Sequence, residues 1–355
     1  MFLSDFSIEQ LNNLMLELGE PKFRSKQLYI ASHMYKSYDE MTNIPKSLKD
    51  KLILKNVYDL PLQIIKTLES KDGTKKFLFK LNDGNVIEGV LMKYKYGYTQ
   101  CVSTQVGCRM HCAFCASGLH GLVRNLSSGE ILSQILAVNK MLNGGIGDDR
   151  QITNVVLMGS GEPLDNYDNV VDFLRNVSNE NGINISPRNI SLSTCGLVPN
   201  IYKLANEGLH VNLTISLHSP FDEERKQIMP IAKAYSIKEI LTACSEYFKI
   251  TGRRYIFEYV LINGKTNLKR HADELIKILK GKPCHINLIR LNAVSENDLE
   301  AVSEKEAYNF LNLLQKGGLS VTLRRQMGVD IDGACGQLRQ KFMEENNLWQ
   351  VKLSR

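Results

Sequence analysis

Three cysteines fall within eight residues, Cys108-Arg109-Met110-His111-Cys112-Ala113-Phe114-Cys115, spaced C-x3-C-x2-C. Thiolates this close along the chain can converge on one soft metal centre. Two centres fit the spacing. A structural zinc site is closed by four ligands, and the nearest candidates for a fourth are His111 and His120. A 4Fe-4S cluster held by three cysteines instead leaves one iron without a protein ligand, a departure from four-cysteine ligation that opens the iron to a substrate. Two more cysteines stand in unusual settings. Cys101 precedes Cys108 by seven residues, and Cys335 lies among small residues in Gly328-Val329-Asp330-Ile331-Asp332-Gly333-Ala334-Cys335-Gly336-Gln337-Leu338. A thiolate is a strong nucleophile toward a methyl sulfonium, and two thiols near one another can form and break a disulfide. Cys195, Cys244 and Cys284 sit in apolar runs and read as buried core thiols.

The elements that would position these groups alternate. Strand-like apolar runs at 101–105, 152–158, 189–194, 210–217, 255–261 and 285–291 are separated by helical patterns at 127–142, 167–178, 199–206, 236–248 and 268–279. A last helix at 303–315 and strand at 320–324 precede the Gly-rich tail. Alternation of this kind predicts a parallel sheet with crossover helices. Six units are too few for a closed eight-stranded barrel, so the fold class is α/β, an incomplete (βα)6 TIM-like barrel. Such barrels put their chemistry at the C-terminal ends of the strands. The cysteine loop follows the first strand. Gly159-Ser160-Gly161-Glu162-Pro163-Leu164 follows the second, Ser193-Thr194-Cys195-Gly196 ends the third, Ser216-Leu217-His218 ends the fourth, and Asn292 follows the sixth. Singly, each is an ordinary turn or strand-end cap; their repetition on one rim is what points to a ligand.

Before the barrel, residues 1–95 read as an accessory module. Ser7 and Gln10 frame a helix start, two further helical patterns lie at 24–38 and 48–53, and Asn82-Asp83-Gly84-Asn85 joins two strands as a β-hairpin extension. The barrel would span 96–318 and a C-terminal segment 319–355. The 355 residues are 43% hydrophobic and 23% charged, as in ordinary globular proteins. The excess of 44 basic over 38 acidic residues gives +6, which permits a polyanionic partner without requiring one. Mean hydropathy is −0.20 and no apolar run approaches the roughly 18 residues of a membrane span. The start MFLSDFSIEQ lacks the pattern of a secretory signal, which predicts a cytoplasmic protein with reduced thiols. Lys22, Arg24, Lys26, Lys46, Lys49 and Lys51 in the module read as a solvated helical surface or as contacts to nucleic acid. Lys71, Lys75, Lys76, Arg124, Arg324, Arg325, Arg339 and Lys341 are further candidates for phosphate contact.

The cysteine spacing, with Phe114 in an aromatic slot, resembles the radical SAM superfamily. That resemblance implies a 4Fe-4S cluster on Cys108, Cys112 and Cys115, whose open iron chelates S-adenosylmethionine for reductive cleavage to a 5′-deoxyadenosyl radical. It also implies cofactor contacts from Gly161, Glu162, Ser193, Ser216, Leu217, His218 and Asn292. The pairing of C-x6-C-x3-C-x2-C with a terminal Asp-Ile-x-x-Ala-Cys-Gly-Gln-Leu resembles, more narrowly, the RlmN/Cfr family of rRNA adenine methyltransferases. The family resemblance implies methylation of an adenine in the peptidyl-transferase centre of 23S rRNA and, in the C2 branch, of an adenine beside the anticodon of some tRNAs. Cys335 would carry the methyl group, supplied by the first of two S-adenosylmethionine molecules per turnover. Cys101 would resolve a protein–RNA adduct by forming a transient disulfide with Cys335, and Glu88 would accept the ring proton. Pro163 favours the C2 branch over the C8 branch, which confers antibiotic resistance. The expected partners are RNA and a one-electron donor such as flavodoxin or ferredoxin, with no membrane, and the chain is expected to act as a monomer.

Overall fold

The architecture is given by a computed structural model that describes residues 1–292 and 298–331. Cys335, Arg339, Lys341 and the rest of the tail beyond residue 331 lie outside the described residues.

Three helices open the chain: α1 (Ile8–Glu17), α2 (Phe23–His33) and α3 (Lys46–Leu54). Ser7 caps α1, accepting from the Gln10 amide while the Gln10 side chain accepts from the Ser7 amide. Leu3, Leu11, Met15, Leu28, Leu48 and Leu52 form a core separate from that of the barrel. Named contacts dock this bundle on the barrel. The Asp5 carboxylate accepts from the Gly129 amide at 2.7 Å, at the start of α4 (Ser128–Met141). His33 Nδ1 accepts from the Ile183 amide at 3.1 Å.

The sheet begins antiparallel, with β1 (Leu62–Glu69), β2 (Lys75–Leu81), β3 (Val86–Tyr94) and β4 (Gly97–Cys101) paired in sequence. The predicted hairpin is β2–β3; β1 is an additional strand. At β4 the sheet changes character, because the next strand, β7 (Ile152–Leu157), pairs with it in parallel. Then follow β8 (Ile190–Thr194), β9 (Asn212–Ser216), β10 (Tyr255–Leu261), β11 (Cys284–Arg290) and β12 (Val321–Leu323), all parallel. The order is β1-β2-β3-β4-β7-β8-β9-β10-β11-β12, a ten-stranded sheet with β1 and β12 at its ends. The hairpin extension thus continues the barrel's own sheet, and the change near residue 95 is one of strand direction. The crossovers are α4, α5 (Tyr167–Val177), α6 (Val198–Ala205), α7 (Asp222–Ile228) with α8 (Ile237–Thr251), α9 (Lys269–Leu279) and α10 (Glu304–Lys316). The fold is the α/β partial barrel expected from the alternation, with α7 as an unforeseen insertion.

One predicted strand is displaced. The run 101–105 was expected to be the first barrel strand, yet β4 ends at Cys101. The Thr104 and Gln105 amides both donate to the Ser160 carbonyl, at 2.8 and 3.1 Å, which turns the chain out of the ladder. Gln105–Gly107 then forms β5, paired antiparallel with β6 (Leu122–Asn125), and the cysteine loop is carried between them.

Burial pushes the His33 pKa from 6.5 down to about 3, so the folded protein keeps this ring neutral and Nδ1 available as an acceptor. The unfolded chain takes up the proton below about pH 6.5. Stability from this group is therefore complete above that value and is lost as pH falls toward 3. Thermal unfolding between pH 7 and 5 should show a falling Tm whose slope is shallower in His33→Gln; equal slopes would assign the acid sensitivity to other groups.

Candidate active site

The C-terminal ends of the parallel strands surround a cavity of about 270 Å³. Cys108, Cys112 and Cys115 line it, and Met110 and Met229 line it with them. Their loop is fixed at several points. The Cys108 amide donates to the Gly121 carbonyl at 2.9 Å and the Ala113 amide to the Ile228 carbonyl at 2.9 Å. Arg109 pairs with Asp165 at 2.9 Å, and Gln105 donates to the same Asp165 oxygen at 2.8 Å. Phe114 meets His218 edge to face, with ring centroids 4.6 Å apart.

The donor set discriminates between the two metal centres. His111 and His120, which a closed zinc site would recruit, are exposed and do not line the cavity. A 4Fe-4S cluster held by three cysteines needs no histidine, and Cys108, Cys112 and Cys115 all line the cavity. Burial pushes the Cys108 thiol up to about 12 and raises Cys112 as well, with Cys115 adding to both. Thiols in so apolar a place become thiolates when a bound cationic centre compensates the charge. The three cysteines and their surroundings fit a cluster.

The remaining rim includes two buried polar groups tied to backbone, Glu162 and His218. The Glu162 carboxylate accepts from the Leu164 amide at 3.0 Å and from the Cys195 amide at 2.7 Å, which joins the ends of β7 and β8. Burial raises its pKa and these hydrogen bonds oppose the rise. Gly161, Ser193, Ser216, His218 and Asn292 also line the cavity, as expected. Leu217 does not: its side chain is in the main core. Its peptide is used instead, with the amide donating to the Glu258 carbonyl at 3.0 Å and the carbonyl accepting from Arg225 Nε at 3.1 Å. His218 adopts φ 58° and its Nδ1 accepts from the Val260 amide at 3.1 Å. Burial, then the Arg225 charge, pushes its pKa down to about 3, so the ring is neutral.

Cys101, at the end of β4, lines the same cavity as the thiol triad. Glu88 is buried and its carboxylate lies 3.5 Å from the buried Lys76 ammonium. It shares a face of β3 with Val90 and Met92, which do line the cavity. Several readings from sequence need correction. Lys76, proposed for phosphate, is fully buried beside Glu88. Arg124 grips Glu130 at 2.7 and 2.8 Å and Asp83 at 2.6 Å, so its fork is committed inside the protein. Arg324 faces the cavity, 3.7 Å from Glu258. Cys195 is buried but belongs to the cavity wall; only Cys244 and Cys284 belong to the main core.

Two rim residues were missed. Arg225 is fully buried and donates to the carbonyls of Cys195 at 2.7 Å, Ser216 at 3.2 Å and Leu217, which holds the ends of β8 and β9 together. Glu258 interrupts the apolar run Tyr255-Ile256-Phe257-Glu258-Tyr259-Val260-Leu261, a signal that was readable. Arg225 lies in the ordinary-looking helix Asp222–Ile228 and gave no such signal.

The comparisons with known proteins agree with this site. Residues 102–276 match the family model of the radical SAM superfamily, and residues 1–59 match the ribosomal RNA large subunit methyltransferase N-terminal domain. The second match ends just before β1 and so covers the helical bundle. A crystal structure of a radical SAM methyltransferase from Sphaerobacter thermophilus superposes with a TM-score of 0.90 at 39% identity, covering 95% of this chain and 98% of that one. Fold and thiol triad together define a radical SAM enzyme. The probable dual-specificity RNA methyltransferases RlmN of Clostridium novyi and Clostridium perfringens strain SM101 are 49% and 50% identical, over 96% and 97% of this chain and 98% of each relative. The chain belongs to the RlmN family.

Gly161 tests how the rim is built. A Cβ there would lie 2.6 Å from the Gln105 Cβ and 2.7 Å from its amide nitrogen, at φ +106°. The glycine is required by the strand leading into the cysteine loop, in addition to any ligand. Gly147 also has positive φ (+59°) but nothing within 4 Å of a Cβ. Gly147→Ala should therefore show only the backbone penalty, roughly 1–2 kcal/mol. Gly161→Ala should lower the Tm further and reduce the iron bound per chain; equal effects in Tm and iron content would contradict this packing.

Proposed function

We propose that the protein methylates C2 of an adenine in the peptidyl-transferase centre of 23S rRNA and of an adenine beside the anticodon of tRNAs, with Cys335 as the methyl carrier. The observation that carries this reading is the presence of Cys101 in the wall of the cavity that also holds the thiol triad. A resolving thiol has to reach the reacting sulfur, and a core cysteine elsewhere could not. The printed names of the relatives, dual-specificity RNA methyltransferase, support two classes of RNA substrate.

When bound, the cluster and two molecules of S-adenosylmethionine supply a methyl group and a one-electron route to a carbon radical. The chain's residues do the rest. Cys108, Cys112 and Cys115 hold the cluster. Ser193, Ser216, neutral His218 and Asn292 offer hydrogen bonds to the sulfonium's polar groups, and Glu162 offers its free lone pairs to the ammonium. Cys335 accepts the methyl group by displacement and then links the one-carbon unit to the base. Glu88, whose carboxylate lies 3.5 Å from the Lys76 ammonium, takes the ring proton. Attack of the Cys101 thiolate on the Cys335 sulfur forms the S–S bond and breaks the S–C bond; the electron pair of that bond stays on the one-carbon unit, which takes up a proton to become the methyl group and frees the methylated base. The two-stage route is needed because a purine ring carbon is a poor nucleophile toward a methyl cation equivalent, whereas a carbon radical can add to it.

The target base must leave its stack to enter so narrow a cavity. Exposed Lys22, Lys26 and Lys46 on the helical bundle suit phosphates. The reductant would be a flavodoxin or ferredoxin, and the protein would work as a cytoplasmic monomer. No helix among the described residues is long and apolar enough to cross a membrane.

Digestion and mass spectrometry of RNA treated with the reconstituted enzyme should yield 2-methyladenosine; 8-methyladenosine as sole product would move the protein to the C8 reading. Cys101→Ala should accumulate a covalent protein–RNA species on denaturing gels, and Cys335→Ala should abolish it while retaining iron. Full turnover by Cys335→Ala would remove the carrier role.

A further inference from the structure

The turn between β3 and β4 carries an aromatic step beside the cavity residue Met92. Val90 and Met92 line the cavity, and Tyr94 is the next residue on that face of β3. The Tyr94 hydroxyl lies 3.6 Å from the Met92 sulfur, and it feels the charges of Arg324 and Arg325 and lies near Cys101. Arg324 and Cys101 are themselves cavity residues. The Tyr94 ring stacks on Tyr96 with centroids 5.0 Å apart and planes 5° from parallel. Tyr94 is half-buried, whereas Tyr96 is 64% exposed, so the outer ring stands open to solvent.

The step is rigidly mounted. Tyr94 pairs with Gly97 across a two-residue turn. Gly97 has φ +129°, and a Cβ there would meet Thr153 Oγ1 at 2.5 Å, so the turn is pressed against β7. Its surroundings are basic. Lys93, Lys95 and Arg325 are exposed. Two acidic groups on separate segments are engaged: Asp72 accepts from the Gly328 amide at 2.9 Å, and Asp330 accepts from the Lys71 amide at 3.2 Å.

We propose that the Tyr94–Tyr96 step is a base-stacking platform for the unpaired nucleotide adjoining the target adenine. A base drawn into the cavity leaves its neighbour without one stacking partner, and an aromatic face beside Met92 replaces it. Lys93, Lys95 and Arg325 take the phosphates on either side. The inference rests on RNA as substrate, but not on which ring carbon is methylated.

The test is a fluorescence titration of the anaerobically reconstituted enzyme with an RNA hairpin carrying 2-aminopurine beside the target adenine. Stacking on tyrosine should quench the probe on binding to wild type and to Tyr96→Phe. Tyr96→Ala and Tyr96→Leu should lose the quench and raise Kd about tenfold, the order expected for one base stack. The exposed position lets these variants keep the wild-type Tm. Unchanged quench and Kd in Tyr96→Ala would overturn the platform while leaving the RNA reading in place. Failure of wild type to bind the hairpin would overturn both. Formation of 8-methyladenosine with a normal quench would overturn only the C2 assignment and support the platform.

Discussion

A charge buried at the rim of an open barrel must be hydrogen-bonded or expelled, and that constraint shapes this site. Glu162 is fully buried and keeps its place because two backbone amides from different loops point at it. Arg225 is fully buried and binds three carbonyls at the ends of two neighbouring strands. Each charged group therefore acts as a tie between strand ends that the sheet ladder no longer joins. The cavity keeps its shape without a closing strand because its rim is cross-linked by these polar contacts. The same ties orient the backbone of Ser216, Leu217 and Cys195, so the side chains facing the cavity follow.

The change of strand direction at β4 has a functional consequence. One edge of β4 pairs antiparallel with β3 and the other parallel with β7. Cys101, its last residue, therefore stands where the accessory strands meet the barrel rim, opposite Val90. Val90 and Met92, from the antiparallel side, join a cavity otherwise built by the parallel strands, and Glu88 shares their face of β3. A hairpin hung on the barrel as a separate lobe would not place Glu88 in the interior. Continuity of hydrogen bonding across ten strands does.

The legible parts of the sequence were those with strong local periodicity or rare spacing. Helices α4, α5, α9 and α10 fall within a few residues of their patterns, since capping residues such as Ser127 and Ser303 mark their starts. The thiol triad was legible because three cysteines in eight residues are unusual. The first barrel strand was misplaced because Val102 to Gln105 has strand-forming residues, while the hydrogen bonds that divert it come from Ser160, far along the chain. Lys76 and Arg124 were misjudged for a related reason. A lysine or arginine is assumed solvated until its carboxylate is found: Glu88 is brought to Lys76 only by the pairing of β2 with β3, and Arg124 is taken up by Glu130 and by Asp83 in the β2–β3 turn. Arg225 was invisible because its partners are carbonyls, which every residue has.

The central claim is that the three thiolates hold a 4Fe-4S cluster with one iron left to bind S-adenosylmethionine. The most direct measurement is the electron paramagnetic resonance spectrum of the anaerobically reconstituted and reduced protein, recorded before and after S-adenosylmethionine is added. A ligand on the open iron should change the signal, and Cys112→Ala should lack the cluster signal altogether. A spectrum indifferent to S-adenosylmethionine, or a colourless zinc protein with no such signal, would contradict the account.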